Sequence, residues 1–580
     1  MMDIQYLDAL VVGAGFGGIY QLKKLLDQGL NVKVIDIADD VGGTWYWNRY
    51  PGAMSDTESF LYRYSWDIED LKSYPWDRHY IQGPEVLAYL RHVVERHKLR
   101  PYFQFKTELT GAQWDDSEQL WVVEVSTGQV FKCKYLVTAL GLLSRQNLPD
   151  IPGIKTFKGE IHHTARWPEG LDLTDKRVGV LGNGSTGVQV IISVAQVAKK
   201  LVSFQRTPQY SVPSGDREVH PDYRKDVNER YEEIWEKAKN SMFAFGFEES
   251  KRPMSSVSEE ERERIFEEAW KMGGGFKFMF WTFCDISYDE AANHAAADFI
   301  RRKISATVKD PETARKLTPH DYYARRPLCD SGYYQTFNRD NVELVSLKET
   351  PITEITEDGI KTSDGKVHEL DVIIFATGFD AVDGNYTRVK IRGRQGASLK
   401  DHWSEAGPTS YLGISVPNFP NMFMILGPNG PFTNLPPTIE TQVEFISDLI
   451  QTAEKVRSRA AGADRQVNGD SNHATPALTN GDSNHDTPTL TNGHKESSPS
   501  TAANATIEAT TDAEEEWTDL CDKLSAPSLF RKTDSWIFGA NVPGKKPAVV
   551  FYFGGLANYR NVLRDVQEHG LKGYKSLGLA

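Results

Sequence analysis

Apolar and polar positions along the chain fall into two copies of one order. Residues 9–12 form an apolar run that meets a glycine turn; Ile19, Leu22, Leu25 and Leu26 then recur at helical spacing before the short apolar strand 32–35. The same order returns at 177–181, a glycine turn, a helix and the strand 201–204. Strand, turn, helix and strand within one short unit predict a parallel βαβ fold. After the first unit, 112–114, 120–125 and 130–133 alternate around polar turns, which predicts an antiparallel meander running into the apolar stretch 135–141. The similar stretch 372–378 predicts a second strand returning to a parallel sheet.

The remaining pattern is helical or polar. Between 215 and 323 charged residues dominate, and helix-like spacing over 226–237, 258–271 and 291–308 predicts an inserted helical subdomain. A turn-rich loop at 427–437 precedes a helix with Ile439, Val443, Ile446, Ile450 and Ala453 on one face. From 457 to 512 the composition shifts to Asn, Gly, Asp, Ser, Thr, Ala and Pro, and the run beginning at Asn468 recurs from Asn480. So few apolar residues cannot offset chain entropy, so this stretch is expected to be disordered. A helix with Trp517, Leu520, Cys521 and Leu524 resumes the fold, and an apolar strand at 548–553 closes it.

At 580 residues the chain supports more than one full core. A net charge of −14 argues against general nucleic-acid or anionic-membrane binding, so any phosphate site must be local. Cys133, Cys284, Cys329 and Cys521 form no C-x-x-C, which points away from disulfides, a zinc site or a redox pair. With no metal site, signal peptide or membrane-length apolar run in view, a cytoplasmic protein without an obligate protein partner is expected.

The two turns carry the first chemistry. Gly13, Gly15 and Gly18 let the backbone approach a pyrophosphate at a helix N-terminus, and Asp36 can accept bonds from ribose hydroxyls. That acid disfavours a 2′-phosphate, so the first turn suits FAD or NAD. In the second turn, Gly182, Gly184, Ser185, Thr186 and Gly187, the matching offset lands on Gln205, followed by Arg206 and Thr207. An arginine there can grip a 2′-phosphate, so this site is expected to prefer NADPH. Trp45, Trp47 and Tyr50 make the next loop aromatic enough to wall a flat ring, with Phe16, Thr44, Tyr46 and Tyr62 as further candidate flavin contacts. Asp56 supplies a carboxylate able to position a cation.

Two patterns narrow the reading. Phe157, Gly159, His163, Trp167 and Pro168 fill F-x-G-x-x-x-H-x-x-x-W-P between the two turns, and residues 43–56 fill G-x-W-x-x-x-x-Y-P-G-x-x-x-D. These resemble the fingerprints of the type I Baeyer–Villiger monooxygenases. Residues 324–334, 375–386, 427–437 and 535–546 carry a closer likeness to the cyclohexanone monooxygenase branch. The resemblance implies an α/β fold of two Rossmann-like domains. It assigns 1–145, 379–456 and 513–580 to an FAD domain, and 146–214 with 324–378 to an NADP domain. The helical insert would be 215–323 and the disordered repeat 457–512.

It also implies the chemistry. FAD stays bound, NADPH reduces it, and O₂ adds to give a C4a-peroxyflavin. This attacks a cyclic or linear ketone, and a tetrahedral intermediate rearranges to a lactone or ester. By match, Arg326 would stabilise negative charge and Asp56 would hold it. Arg325 stands where the family usually has lysine to contact the 2′-phosphate, and Trp536 would belong to a mobile loop over the nicotinamide. His163 would couple the domains within the fingerprint, while Leu142, Leu143, Phe432, Thr433 and Leu435 would line the substrate pocket. One rival is a heteroatom monooxygenase of the same fold, which normally lacks the Trp-Pro ending and the arginine pair. The other is a non-catalytic NADP(H)-binding regulator.

Overall fold

The computed structural model describes residues 3–469, 505–542 and 544–575. The first sheet is centred on Ile4–Val12, which runs parallel to Val32–Ile35 on one side and Val130–Thr138 on the other. Leu109–Asp115 pairs antiparallel with Leu120–Val125, which in turn pairs antiparallel with the start of Val130–Thr138. One strand therefore joins the antiparallel and parallel parts of a single sheet. Its first residues alternate in burial, whereas Tyr135, Leu136, Val137 and Thr138 are all buried, since both faces of the parallel part are covered. Lys390–Arg392 and Met422–Met424 bring the later chain back into this same sheet.

The second sheet is entirely parallel, in the order Val342–Ser346, Lys200–Gln205, Arg177–Leu181, Val372–Phe375, Glu160–His163. Its last strand is the middle of the F-x-G fingerprint, with His163 paired opposite Phe375. Gly159 precedes that strand because a Cβ there would stand 2.3 Å from the Asp371 carbonyl oxygen. Together the two parallel sheets and their covering helices give the expected α/β, Rossmann-like architecture.

The structure changes several element boundaries. The helix expected over 226–237 is two, Pro221–Glu229 and Tyr231–Lys239, because Arg230 adopts φ −110° and ψ 14° between them. Glu259–Met272 and Glu290–Thr307 lie close to the expected 258–271 and 291–308, capped by Ser258 and Asp289. A phenylalanine-rich helix, Gly275–Phe280, was not foreseen.

Disorder from 457 to 512 is corrected at both ends. The helix that starts at Leu435 continues to Gly469. Residues 505–509 are packed: Ile507 is 2% exposed and exchanges hydrogen bonds with Asn421, whose backbone N–H and side-chain Oδ1 both engage it. Glu508 pairs with Arg394 and Lys575, and Ala509 bridges to Tyr574, so the whole short segment is anchored. Most of the repeat lies outside the described residues. The closing strand shrinks to Phe551–Tyr552, which pairs with Gly430–Pro431 of the turn-rich loop. Among the described residues no helix is long and apolar enough to cross a membrane.

Candidate active site

Both glycine turns solve the same steric problem. Gly13 and Gly182 have φ of +112° and +104°, and a Cβ on either would strike a carbonyl oxygen, of Ala139 or Ala376, on the returning strand. A Cβ on Gly18 or Gly187 would lie 1.7 or 2.2 Å from the carbonyl oxygen of Gly13 or Gly182, so these glycines let helix and strand meet. The middle glycines differ. A Cβ on Gly184 would meet nothing within 4 Å, and one on Gly15 would meet only the backbone of Gly43 at 3.5 Å or beyond. Each turn thus keeps an open cradle at the N-terminus of a helix, Phe16–Asp27 or Ser185–Val197, where backbone N–H groups favour phosphate. The residues fit two dinucleotides.

Around the first cradle, Asp36 accepts hydrogen bonds from the N–H groups of Ala14 at 2.6 Å and Ala38 at 2.8 Å. Burial raises its carboxyl above the ordinary range. The aromatic loop is a short helix, Thr44–Trp47, rather than an extended connection. Thr44 is exposed there, while Trp45 and Tyr46 are buried. The Trp45 indole N–H donates to the Tyr62 hydroxyl at 3.2 Å, and Phe16 meets Tyr62 edge-on. Trp47 is half-buried, with the Arg166 guanidinium over its ring at 3.7 Å.

The centre lies between the two units. Arg326 donates through Nη2 to Asp56 Oδ2, and its Nη1 donates to Ser185 Oγ at 3.4 Å, at the mouth of the second cradle. Both side chains are mostly sheltered, at 24% and 18% exposure, so their attraction is weakly screened. The Phe276 ring faces the same guanidinium at 5.5 Å. Nearby, Tyr50 donates to Gln189 Oε1 at 2.7 Å and Gln189 donates to the Met54 carbonyl at 3.1 Å, which pins the second unit's helix onto the first unit's aromatic loop. Burial pushes the Tyr50 phenol up to about 12, so it stays protonated as a donor.

The other expected residues fall around this centre. Arg325 pairs with Asp321 at 2.6 Å and donates to the Asp534 carbonyl at 3.0 Å, two residues before Trp536. Trp536 is half-buried, edge-on to Phe551 at 5.9 Å. Gln205, at the position of the missing acid, is buried and shares Asn183 with the Thr207 carbonyl, while Arg206 is exposed. Leu142, Leu143 and Phe432 pack on one apolar cluster, whereas Leu435 packs on another. Thr433 bonds to Thr438. His163 and Trp167 are buried, Phe157 packs against the second sheet, and Pro168 is half-buried. Among the described residues no three His, Cys, Asp or Glu could hold a metal.

The profile of the family described as flavin-binding monooxygenase-like matches residues 8–227. The chain is 49% identical to a Baeyer–Villiger monooxygenase of Pseudooceanicola batsensis, over 97% of this chain and 95% of that one. This chain belongs to the Baeyer–Villiger monooxygenases. It is also 48% identical, over 99% of its length and 97% of the other's, to a phenazine N-monooxygenase of Lysobacter antibioticus. A closed crystal structure of cyclohexanone monooxygenase superposes with a TM-score of 0.90 at 54% identity, each chain covered to 99%.

Several residues packed around the Asp56–Arg326 pair escape a reading by motif. Phe276 and Lys277 lie in the charged insert, where the only signal is the aromatic run from Phe276 to Phe283. Glu58 follows Asp56 by two positions and shares its side of the strand Met54–Glu58. Gln189 looks like an ordinary helix residue until Tyr50 is placed against it.

Proposed function

We propose that this monooxygenase inserts one oxygen atom beside the carbonyl of cyclic and some linear ketones, consuming NADPH, a proton and O₂ and releasing a lactone or ester, NADP⁺ and water. The observation that carries the reading is the Asp56–Arg326 pair, set between two open dinucleotide cradles. FAD fits the first cradle and NADPH the second; when bound, the flavin takes hydride from NADPH and transfers one oxygen atom of O₂ to the substrate.

The chain's own residues supply the rest. Arg326 is a permanently charged fork whose donors are shared with Asp56 and Ser185, so it can meet negative charge developing on the carbonyl oxygen. Asp56 holds that fork in place. The segment with Trp536 sits beside Arg325 and excludes water from the reaction. Arg206, Thr207 and Arg325 are assigned to the 2′-phosphate side of NADPH; Arg325 must then exchange its Asp321 pair for the phosphate. Leu142, Leu143, Phe432, Thr433 and Leu435 are assigned to the ketone pocket.

In this reading 1–145, 379–456 and 513–580 build the flavin domain, and 146–214 with 324–378 build the nicotinamide domain. Support comes from Lys390–Arg392 and Met422–Met424, which rejoin the first sheet, and from Val372–Phe375 in the second. A cytoplasmic location is part of the same reading, in keeping with four free cysteines, three of them buried.

The test is an aerobic assay with NADPH and cyclohexanone, following coenzyme loss and lactone together. Wild type is expected to form caprolactone in near-equal amount to NADPH consumed. Arg326→Ala is expected to oxidise NADPH while losing lactone by about 100-fold or more, the scale of a lost charge-stabilising donor. Normal lactone yield in that variant would remove Arg326 from its role. The N-monooxygenase likeness supports a second reading, oxygenation of an aromatic nitrogen. Product from phenazine with none from any ketone would select it.

A further inference from the structure

We infer that Glu58 and Lys277 form a positioning pair that holds Arg326 in its working pose, acting through the helix that carries Phe276. The inference rests on the role proposed above for Arg326.

Three observations meet here. The strand Met54–Glu58 presents Asp56 and Glu58 on one side, two residues apart. Asp56 takes Arg326, and Glu58 takes Lys277 at 3.0 Å. Lys277 is the neighbour of Phe276, whose ring faces the Arg326 guanidinium at 5.5 Å. The contacts therefore close a ring: from Asp56 to Arg326, to Phe276, to Lys277, to Glu58 and back along the strand. Releasing Lys277 frees one side of that ring.

The helix is also pressed against the chain that leaves Arg326. A Cβ on Gly275 would stand 2.8 Å from the Leu328 carbonyl oxygen and 3.1 Å from the Pro327 carbonyl carbon. A Cβ on Gly274 would stand 2.9 Å from the Tyr80 hydroxyl, so the other flank is equally tight. A shift of this helix must therefore move Phe276, the backbone after Arg326, or both. The helix has no side-chain cap of its own. Its anchorage to the active-site strand comes from Lys277.

The pair is largely sheltered from solvent. Glu58 and Lys277 are 15% and 19% exposed, and Glu58 also receives the Tyr223 hydroxyl at 3.4 Å with His79 Nδ1 at 3.8 Å. Burial alone would raise the Glu58 carboxyl, but His79 and Lys277 outweigh it and hold the group below its ordinary value, hence ionised. An ionised pair with little solvent around it fixes geometry more firmly than a surface pair does.

The test uses full-length, FAD-loaded protein and three readouts: NADPH consumed, lactone formed from cyclohexanone, and hydrogen peroxide formed. Lys277→Met is expected to cut lactone per NADPH at least fivefold, with the balance appearing as peroxide. Its rate of flavin reduction by NADPH should stay within twofold of wild type. Lys277→Arg, which keeps the charge, should recover most of the coupling. Glu58→Gln, nearly isosteric and expected to fold, should match Lys277→Met, and the double variant should be no worse than either alone. Unchanged coupling in both single variants would overturn the inference. So would an equal fall in flavin reduction and lactone, since that marks general damage. Arg326→Ala run alongside separates the failures: if it also retains full lactone yield, the proposed role of Arg326 fails first.

Discussion

His163 shows how burial decides what a residue can do. Its Nδ1 accepts the Ala165 N–H at 3.1 Å, so the ring proton sits on Nε2. Burial pushes its pKa down from 6.5 to about 4. The residue is therefore neutral at working pH and suited to joining strand and turn rather than to moving protons. The folded value lies below the unfolded one, so the unfolded chain binds more protons between them. The stability contribution is complete above pH 6.5 and is lost as pH falls toward 4, up to roughly 3 kcal/mol. Asn at this position can accept the same N–H without titrating. The melting-temperature advantage of wild type over His163→Asn should shrink steadily from pH 7 to pH 4.5. A constant gap would mean that His163 keeps an ordinary pKa. The family resemblance had implied a linking role for His163, but not its lowered pKa, because burial belongs to the packed chain and not to the fingerprint. The pairing of Arg326 with Asp56 was legible for a different reason: the family resemblance carried by residues 324–334 and 43–56 implied it. Lys277 was not, since its meaning comes from a strand more than two hundred residues away.

At the scale of elements, the two cradles were the most legible feature, because a glycine needed for a turn or a close approach is fixed by local geometry. The split at Arg230 and the helical turn at Thr44–Trp47 were not, since apolar spacing alone does not mark a single non-helical residue or a one-turn helix. The second cradle also separates two jobs that look alike in sequence. Gly184 has φ −73° and ψ −166°, which alanine adopts, and space beside it is open. Gly187 has no such space, with a Cβ placed 2.2 Å from the Gly182 carbonyl oxygen. Gly187→Ala is therefore expected to cost about 1–3 kcal/mol of stability, the usual penalty of forced overpacking. Gly184→Ala should melt like wild type yet raise the KM for NADPH ~10-fold, since its methyl occupies the face where phosphate approaches the helix N-terminus. Denaturant unfolding and coenzyme titration of the two variants distinguish these outcomes. A destabilised Gly184→Ala with normal coenzyme affinity would reverse the assignment.

At the scale of the whole molecule, composition located the low-complexity repeat but could not find its edges. The helix from Leu435 carries past Arg457 to Gly469, and at the other end tertiary contacts rather than composition decide the outcome. There, Ile507 is held by Asn421, Glu508 pairs with Arg394 and Lys575, and Ala509 bridges to Tyr574. The segment thus ties the chain's last helices to the turn that precedes Met422–Met424 of the first sheet. A Gly-Ser linker replacing only 470–504 removes none of these contacts, whereas a deletion of 457–512 removes all of them. Glu508 is 2% exposed, and its loss leaves Arg394 without one of its two carboxylates while Asn421 loses its buried partner. The linker variant is expected to bind FAD and retain ketone oxygenation within about twofold, on the pattern of tolerated surface insertions. The longer deletion should lose flavin and precipitate on purification. Flavin content by absorbance and coupled turnover on cyclohexanone check both. Full activity in the longer deletion would show that the 505–509 anchor is dispensable, and loss of flavin in the linker variant would give the repeat a structural task.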